Sequence, residues 1–202
     1  MRKSSLILLT TTALLANEIN ANAHEITKKV YGRANVTIGY SAQLYTNLMN
    51  FNSALNVEYK TTHSLSFGSG YNFYYKVNDM LNPFVGGNVE FRIPLTKTVL
   101  DRSTYGFNYE VMDVFSMHAK LGTKFNICNE FAVQPYALLG INAMVIKQNT
   151  QYRQGGAGFS GGLGVESIIK DLFIVGLEWK ASTAIGFQTG HQIGVRFGVQ
   201  FL

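Results

Sequence analysis

The chain has 202 residues with 17 Lys and Arg against 12 Asp and Glu; only 14% of residues are charged and 13% are aromatic, with 20 Gly and 3 Pro. This length suffices for one domain with a sizeable interior, and the composition excludes a disordered chain and a coiled coil. The positive excess is small and scattered, which gives no argument for nucleic acid as a partner, and Cys128, the lone cysteine, excludes an internal disulfide.

Residues 1–23 read as a secretory signal. Arg2 and Lys3 are a basic start, Ser4 to Ala16 a short apolar stretch, and Ala21-Asn22-Ala23 a small-x-small site, so cleavage is expected after Ala23. The apolar stretch is too short to span a bilayer comfortably as a helix. Cleavage removes Arg2, Lys3 and Glu18, leaving a net charge of 15 − 11 = +4 on residues 24–202.

Eight alternating runs follow. Period two marks a strand, because successive side chains leave opposite faces of the pleat. The first, 31–44, sets Val36, Ile38 and Tyr40 against Arg33, Asn35 and Thr37. The second, 64–77, sets Phe67, Tyr71, Phe73 and Tyr75 against Ser66, Gly68, Asn72 and Lys76. The third, from 82 to 95, sets Val85, Val89, Phe91 and Ile93 against Asn88, Glu90 and Arg92. The fourth, 114–127, sets Phe115, Met117, Leu121 and Phe125 against Ser116, His118, Lys120 and Lys124. The fifth, 131–146, sets Val133, Leu139 and Ile141 against Gln134, Tyr136 and Asn142. The sixth, 158–169, sets Phe159, Leu163 and Val165 against Ser160, Gly164 and Glu166. The seventh, 172–182, sets Phe173, Leu177 and Trp179 against Gly176, Glu178 and Lys180. The last, 191–201, sets Ile193, Val195, Phe197 and Phe201 against Gln192, Gly194, Arg196 and Gly198.

Short turns near 78–81, 128–130 and 170–171 alternate with longer polar segments near 45–63, 96–113, 147–157 and 183–190. That layout is expected of an eight-stranded antiparallel transmembrane β-barrel, an up-and-down meander with short turns on one side and long loops on the other. Three features put the apolar parity toward lipid. Most Gly of the strands fall on the polar parity, where a narrow interior needs small residues. Aromatic residues of the apolar parity gather near both strand ends, as in interfacial girdles: Tyr75, Phe125, Phe131, Phe173 and Phe201 by the turns, Tyr40, Phe91, Phe115, Phe159 and Trp179 toward the loops. Charges avoid that parity. The alternative is a soluble, lipocalin-like periplasmic barrel with the apolar face inside around a ligand.

The runs resemble the small eight-stranded outer-membrane barrels of Gram-negative bacteria, of the OmpA and OmpX type, across essentially all of 30–202. The Pro-aromatic openings Pro83-Phe84-Val85-Gly86-Gly87 and Pro135-Tyr136-Ala137-Leu138-Leu139-Gly140 carry the likeness, as does the close Gly194-Val195-Arg196-Phe197-Gly198-Val199-Gln200-Phe201-Leu202. The resemblance implies the cell outer membrane, contact with its lipid, and a last strand read by the outer-membrane assembly machinery through Phe197 and Phe201. Here Leu202 follows the terminal aromatic residue. The Asn-rich, Pro-poor style is also similar to surface barrels of rickettsia-like intracellular bacteria, some of them adhesins.

The polar parity holds Arg33, Glu90, Arg92, Lys120, Lys124, Glu166, Glu178, Lys180 and Arg196, with Lys76 a further base, making seven basic to three acidic groups. An eight-stranded barrel is only wide enough to be filled by side chains. A plugged interior with cross-strand ion pairs is therefore expected, and counting up from the turns suggests Glu90 with Lys120 and Glu178 with Arg196. A small gated channel, anion-favouring by its basic excess, is the functional alternative. No nucleophile, base and orienting acid occur at a spacing that announces an enzyme: His118 precedes Ala119-Lys120 and His191 precedes Gln192-Ile193, while lipid A deacylases on this scaffold use His-x-Ser. No cofactor or metal site is expected. Exposed Tyr and Arg are common binding anchors. Tyr45, Phe51, Tyr59, Arg102, Tyr105 and Tyr109 are thus the candidates for contact with a host or envelope partner. The expected role is envelope-structural or loop-mediated binding, without catalysis. Export predicts an intact mass for the protein isolated from membranes that corresponds to residues 24–202; a mass that retains residues 1–23 contradicts the cleaved signal.

Overall fold

In the computed structural model, residues 29–47, 60–96, 99–102, 107–148, 152–184 and 188–202 are described; the expected signal segment lies outside them. The strands are β1 (Val30–Asn47), β2 (Lys60–Tyr75), β3 (Leu81–Pro94), β4 (Val99–Arg102), β5 (Phe107–Cys128), β6 (Phe131–Gln148), β7 (Tyr152–Ile169), β8 (Phe173–Ala184) and β9 (Gln188–Phe201). Eight of them form a closed antiparallel meander in which β3 pairs with β5 and β1 with β9. The ninth, β4, only lengthens the hairpin into β5, pairing Val99 with Glu110 and Arg102 with Phe107. The segment 96–113, read from sequence as loop, therefore contains paired strand. The other long connections are also shorter than expected, since β1, β2, β6, β7, β8 and β9 all continue into them. Above the membrane both faces of a strand meet water, so the alternation that reveals a strand in lipid disappears there.

The register fixes the barrel geometry. From Glu90 the Cα partners run one way through Gly68, Thr37, Gly198 and Ile174 to Ile168. The other way they run through Ser116 and Asn142 to Gly158. The two paths meet β7 at 168 − 158 = 10 residues apart, which is the shear. With eight strands, a rise of about 3.3 Å and a spacing of about 4.8 Å, the tilt is about 41° and the wall radius about 8 Å.

The apolar parity faces outward: Phe159 is 73%, Leu139 70% and Leu121 69% exposed. The lipocalin-like alternative is overturned, because it needs that face inside. The two aromatic groups form separate rings. Each residue climbs about 2.5 Å at this tilt, which places the rings roughly 22 Å apart, near the height of a lipid-facing band.

The short turns close tightly. Asn78 Oδ1 accepts from the backbone N–H groups of Met80 and Leu81 at 2.9 and 2.8 Å, an Asx turn that replaces a backbone partner. Lys170 and Asp171 both sit at φ 53°, the left-handed pair that a type I′ hairpin turn requires. Glycine makes room where Tyr136 of β6 leans over β7 toward Glu178 of β8. The Tyr136 ring lies where a Cβ on Gly164 would stand, and its own Cβ comes within 2.8 Å of the Cβ position of Gly122. The full barrel refolded in detergent is expected to migrate faster on an SDS gel unheated than boiled. Gly164→Leu is expected to remove most of the fast form, since the added side chain meets the Tyr136 ring, which its bond to Glu178 holds in place; an undiminished fast band would show that the ring is free to move.

Candidate functional site: the lumen

The polar parity points inward, and its charges form one chain. Arg92 Nε meets Glu90 Oε1 at 2.9 Å. Lys180 Nζ reaches Glu90 Oε2 at 2.7 Å and Glu178 Oε1 at 2.6 Å. Arg196 bonds Glu178 at 2.7 Å and lies 3.6 Å from Glu166, which pairs with Lys120 at 3.1 Å. The seven groups alternate in sign from Arg92 to Lys120, and each is at most 5% exposed as a residue. The Glu90–Lys180 contact joins β3 to β8, four strands apart in a ring of eight and so on opposite walls. At that level the lumen is bridged across its diameter.

Neutral groups extend the chain. Tyr136 donates to Glu178 at 2.8 Å, with Lys120 Nζ 4.3 Å from its ring centroid. Gln134 Nε2 donates to Glu166 at 3.3 Å, and Gln134 Oε1 accepts from Tyr74 Oη at 2.8 Å. Arg92 also donates to Ser116 at 3.1 Å.

Of the two pairs expected from sequence, Glu178 and Arg196 are brought together, while Glu90 and Lys120 are not. Glu90 opposes Ser116 and Lys120 opposes Gly86. Counting from the turns misleads here because neighbouring strands are staggered by the tilt and β5 ends on a different turn from β3. Lys76, expected inside, is instead half-exposed in the β2–β3 turn, 2.8 Å from Asp79. That contact holds the exposed Asp79 carboxyl below its ordinary value, first through the hydrogen bond and then through the ammonium charge.

Arg33 and Lys124 lie near the lumen's short-turn mouth, on either side of Asp171, at 3.5 and 2.6 Å. Asp171, from the β7–β8 turn, is an acid that the strand pattern did not supply. The interior thus holds six bases and three acids among the described side chains, and Asp171, half-exposed at the mouth, pairs with two of the six bases. A cavity of about 770 Å³ opens below, lined by Tyr31, Arg33, Asn82, Lys124 and Asp171 among others.

Sequence reasoning missed the apolar floor of the lumen. Tyr74, Phe84, Leu138, Ala132, Ile168 and Ile174 are buried on the polar parity, and Tyr74 stacks on Tyr31 at 4.9 Å. The available signal was their position, since most lie within a few residues of a short turn.

His118 Nε2 is 2.7 Å from Ser160 Oγ, but the pair is buried and His118 Nδ1 has no hydrogen-bond partner. No acid orients the ring, so this is not a catalytic triad. His63 and His191 lie within β2 and β9 on the outer wall. Among the loop candidates, Phe51, Tyr59 and Tyr105 lie outside the described residues. Tyr45, Arg102 and Tyr109 are placed by backbone register, Tyr45 opposite Lys60 and Gly190, Arg102 opposite Phe107, and Tyr109 opposite Leu100 and Gln148. Phe197 and Phe201 face outward on β9.

The outer membrane protein beta-barrel domain model matches residues 8–201, and the chain belongs to that family. Among solved structures it is similar to Ail, the attachment invasion locus protein of Yersinia pestis, in complex with the heparin analogue sucrose octasulfate. The TM-score is 0.51 at 13% identity, covering 84% of this chain and 99% of that one. It is also similar to Neisserial surface protein A, with a TM-score of 0.50 at 12% identity, covering 83% and 97%. No curated protein matches by sequence. These likenesses show the fold.

Removing one member of the ladder strands the others. Glu178→Gln leaves Lys180 and Arg196 short of countercharge and is expected to cost about 3–5 kcal/mol. Adding Arg196→Met is expected to recover part of that loss, read as the urea midpoint of the folded barrel in lipid. Equal midpoints for the native chain and Glu178→Gln would mean that the pairs carry no net weight.

Proposed function

We propose that this outer-membrane barrel is a surface protein whose closed body holds its long connections for contact with a partner outside the cell. The observation that carries the reading is the Glu90–Lys180 contact across the lumen diameter. It leaves the barrel axis without a path, and the apolar floor around Tyr74 and Phe84 lies below it. The strands support the presentation role. β1 continues from Tyr40 in the upper aromatic ring to Asn47, about 17 Å higher at this tilt.

The barrel is taken to act without catalysis, since the one buried Ser–His pair has no orienting acid and no opening to substrate. Phe197 and Phe201 are the residues that the assembly machinery would read, and the signal segment 1–23 would bring the chain to it. The Ail structure holds a heparin analogue, so heparin is the first probe for the outer segments, where Lys97, Arg102, Lys147 and Arg153 supply positive charge.

Two measurements test the reading. In planar bilayers the reconstituted barrel is expected to give no single-channel steps; steps that change with Glu90→Gln would establish the channel instead. Retention on immobilised heparin is expected to fall several-fold in a variant carrying Arg102→Ala and Tyr105→Ala, with the unheated gel mobility unchanged. Unaltered retention would remove these two residues from any contact.

A further inference from the structure

His63 and His191 stand on the outer wall just above the upper aromatic ring. They lie on β2 and β9, the strands that flank β1, with His63 opposite Ala42 and His191 opposite Leu44. This two-residue stagger along β1 offsets the tilt. The two residues therefore reach nearly the same height, with Cα atoms about 11 Å apart. Each imidazole is stacked on an aromatic residue of the ring below. His63 lies 5.7 Å from Tyr40 at 18°, and His191 lies 5.9 Å from Trp179 at 15°.

The surroundings of His63 are ordered. Its backbone N–H donates to Thr96 Oγ1 at 2.8 Å, and its carbonyl accepts from Leu95 N–H at 2.7 Å. Tyr40 Oη lies 2.6 Å from His63 Nδ1. In the neutral tautomer whose Nδ1 accepts from the phenol, the ring proton sits on Nε2, on the side away from Tyr40. Protonation places a second proton on Nδ1 and reverses that bond without removing the Nε2–H. The protonated His63 therefore offers an outward donor together with a full positive charge, and this tautomer of the neutral ring keeps the donor alone.

Among the described side chains, no fixed charge competes at this site. Tyr40 and Ala42 from β1, with Leu95 and Thr96 beyond the end of β3, surround His63; Leu44 from β1, with Trp179 and Ala181 from β8, surround His191. None of these is charged at neutral pH. Among the described side chains, these two histidines are the only groups on the outer wall above the lower aromatic ring that can become cationic. The aromatic ring marks the end of the hydrocarbon, so the next layer upward is the headgroups.

We propose that His63 and His191 form a site for the phosphorylated headgroups of outer-leaflet lipid, with the imidazoles donating to phosphate oxygens. The wall supplies an apolar seat for acyl chains directly beneath, and the charge complementarity is that of imidazolium with phosphate. Because the cations are histidines rather than lysines, the charged form of the contact depends on protonation of the two rings.

The test uses the full folded barrel in neutral detergent, with bisphosphorylated lipid A as probe and its dephosphorylated form as control. Trp179 is the sole tryptophan, so its fluorescence reports binding beside His191, and native mass spectrometry counts bound lipid. At pH 5.5 the phosphorylated probe is expected to bind at least about threefold more tightly than the control, and the preference is expected to shrink at pH 8. His63→Asn with His191→Asn is expected to abolish the pH dependence while the unheated gel mobility stays native. Inorganic phosphate is expected to compete poorly, since it lacks acyl chains. Equal binding of the two lipids at pH 5.5, the same pH dependence in the double variant, or full competition by inorganic phosphate would each overturn the proposal.

Discussion

The width of the wall governs the rest of this molecule. Eight strands at a shear of ten enclose a backbone cylinder only about 8 Å in radius, and side chains from opposite walls meet near its axis. Glu90 and Lys180 do so at 2.7 Å. In so narrow a space a large side chain must face a small one. Tyr136 can cross toward Glu178 because Gly122 and Gly164 leave room beneath its ring. A charge there is also far from bulk water, so it must have a partner. The alternating sequence of ion pairs meets that condition for seven groups at once.

The lumen is layered along its axis. Near the short turns, Tyr74 and Phe84 begin the one apolar cluster among the described residues, and Tyr136 and Leu138 continue it up to the level of Lys120. Above Tyr74 and Phe84 runs the ladder of charges. Higher still the lining is small and neutral, with Ser41, Ser64, Ser116, Ser160 and Ser182 all buried. The ladder is costly to break, since removing one member leaves its neighbours uncompensated. The apolar floor is less exacting, because van der Waals contacts carry no orientation. The barrel thus combines a specific element at mid-height with a tolerant one at its base, while lipid rather than protein covers its outer face.

Much of this was legible in the sequence. Period two survives wherever one face meets lipid and the other a polar interior, so eight strands, three short turns and the inward direction of Glu90 and Arg92 could be read directly. What failed did so for identifiable reasons. Glu90 was matched with Lys120 because residue counts along a strand say nothing of the stagger between tilted neighbours; only the Cα register reveals that Lys120 opposes Gly86. Lys76 has the parity of the interior but lies at a turn, where parity no longer decides. Tyr74, Ile168 and Ile174 break the polar pattern because a plugged barrel has an apolar floor as well as an apolar outer face. The β4 extension was invisible because water on both sides leaves no alternation to detect.

That last point bears on what the outer end of the barrel can do. Strand pairing continues well above the upper aromatic ring, as in the β6–β7 ladder, where Lys147 opposes Arg153 and Gln148 opposes Tyr152. No lipid covers these rows, so their stability comes from the backbone ladder and from the rigid wall beneath. A binding segment carried on such an extension starts with its ends already fixed, and it loses less conformational freedom on meeting a partner than a long free loop of the same composition. A filled lumen contributes to the same result, because the ion pairs that bridge it also hold the wall against deformation. In the proposed reading, closure and presentation are one property of the narrow barrel: the contacts that fill its lumen also make the base rigid enough to carry a surface.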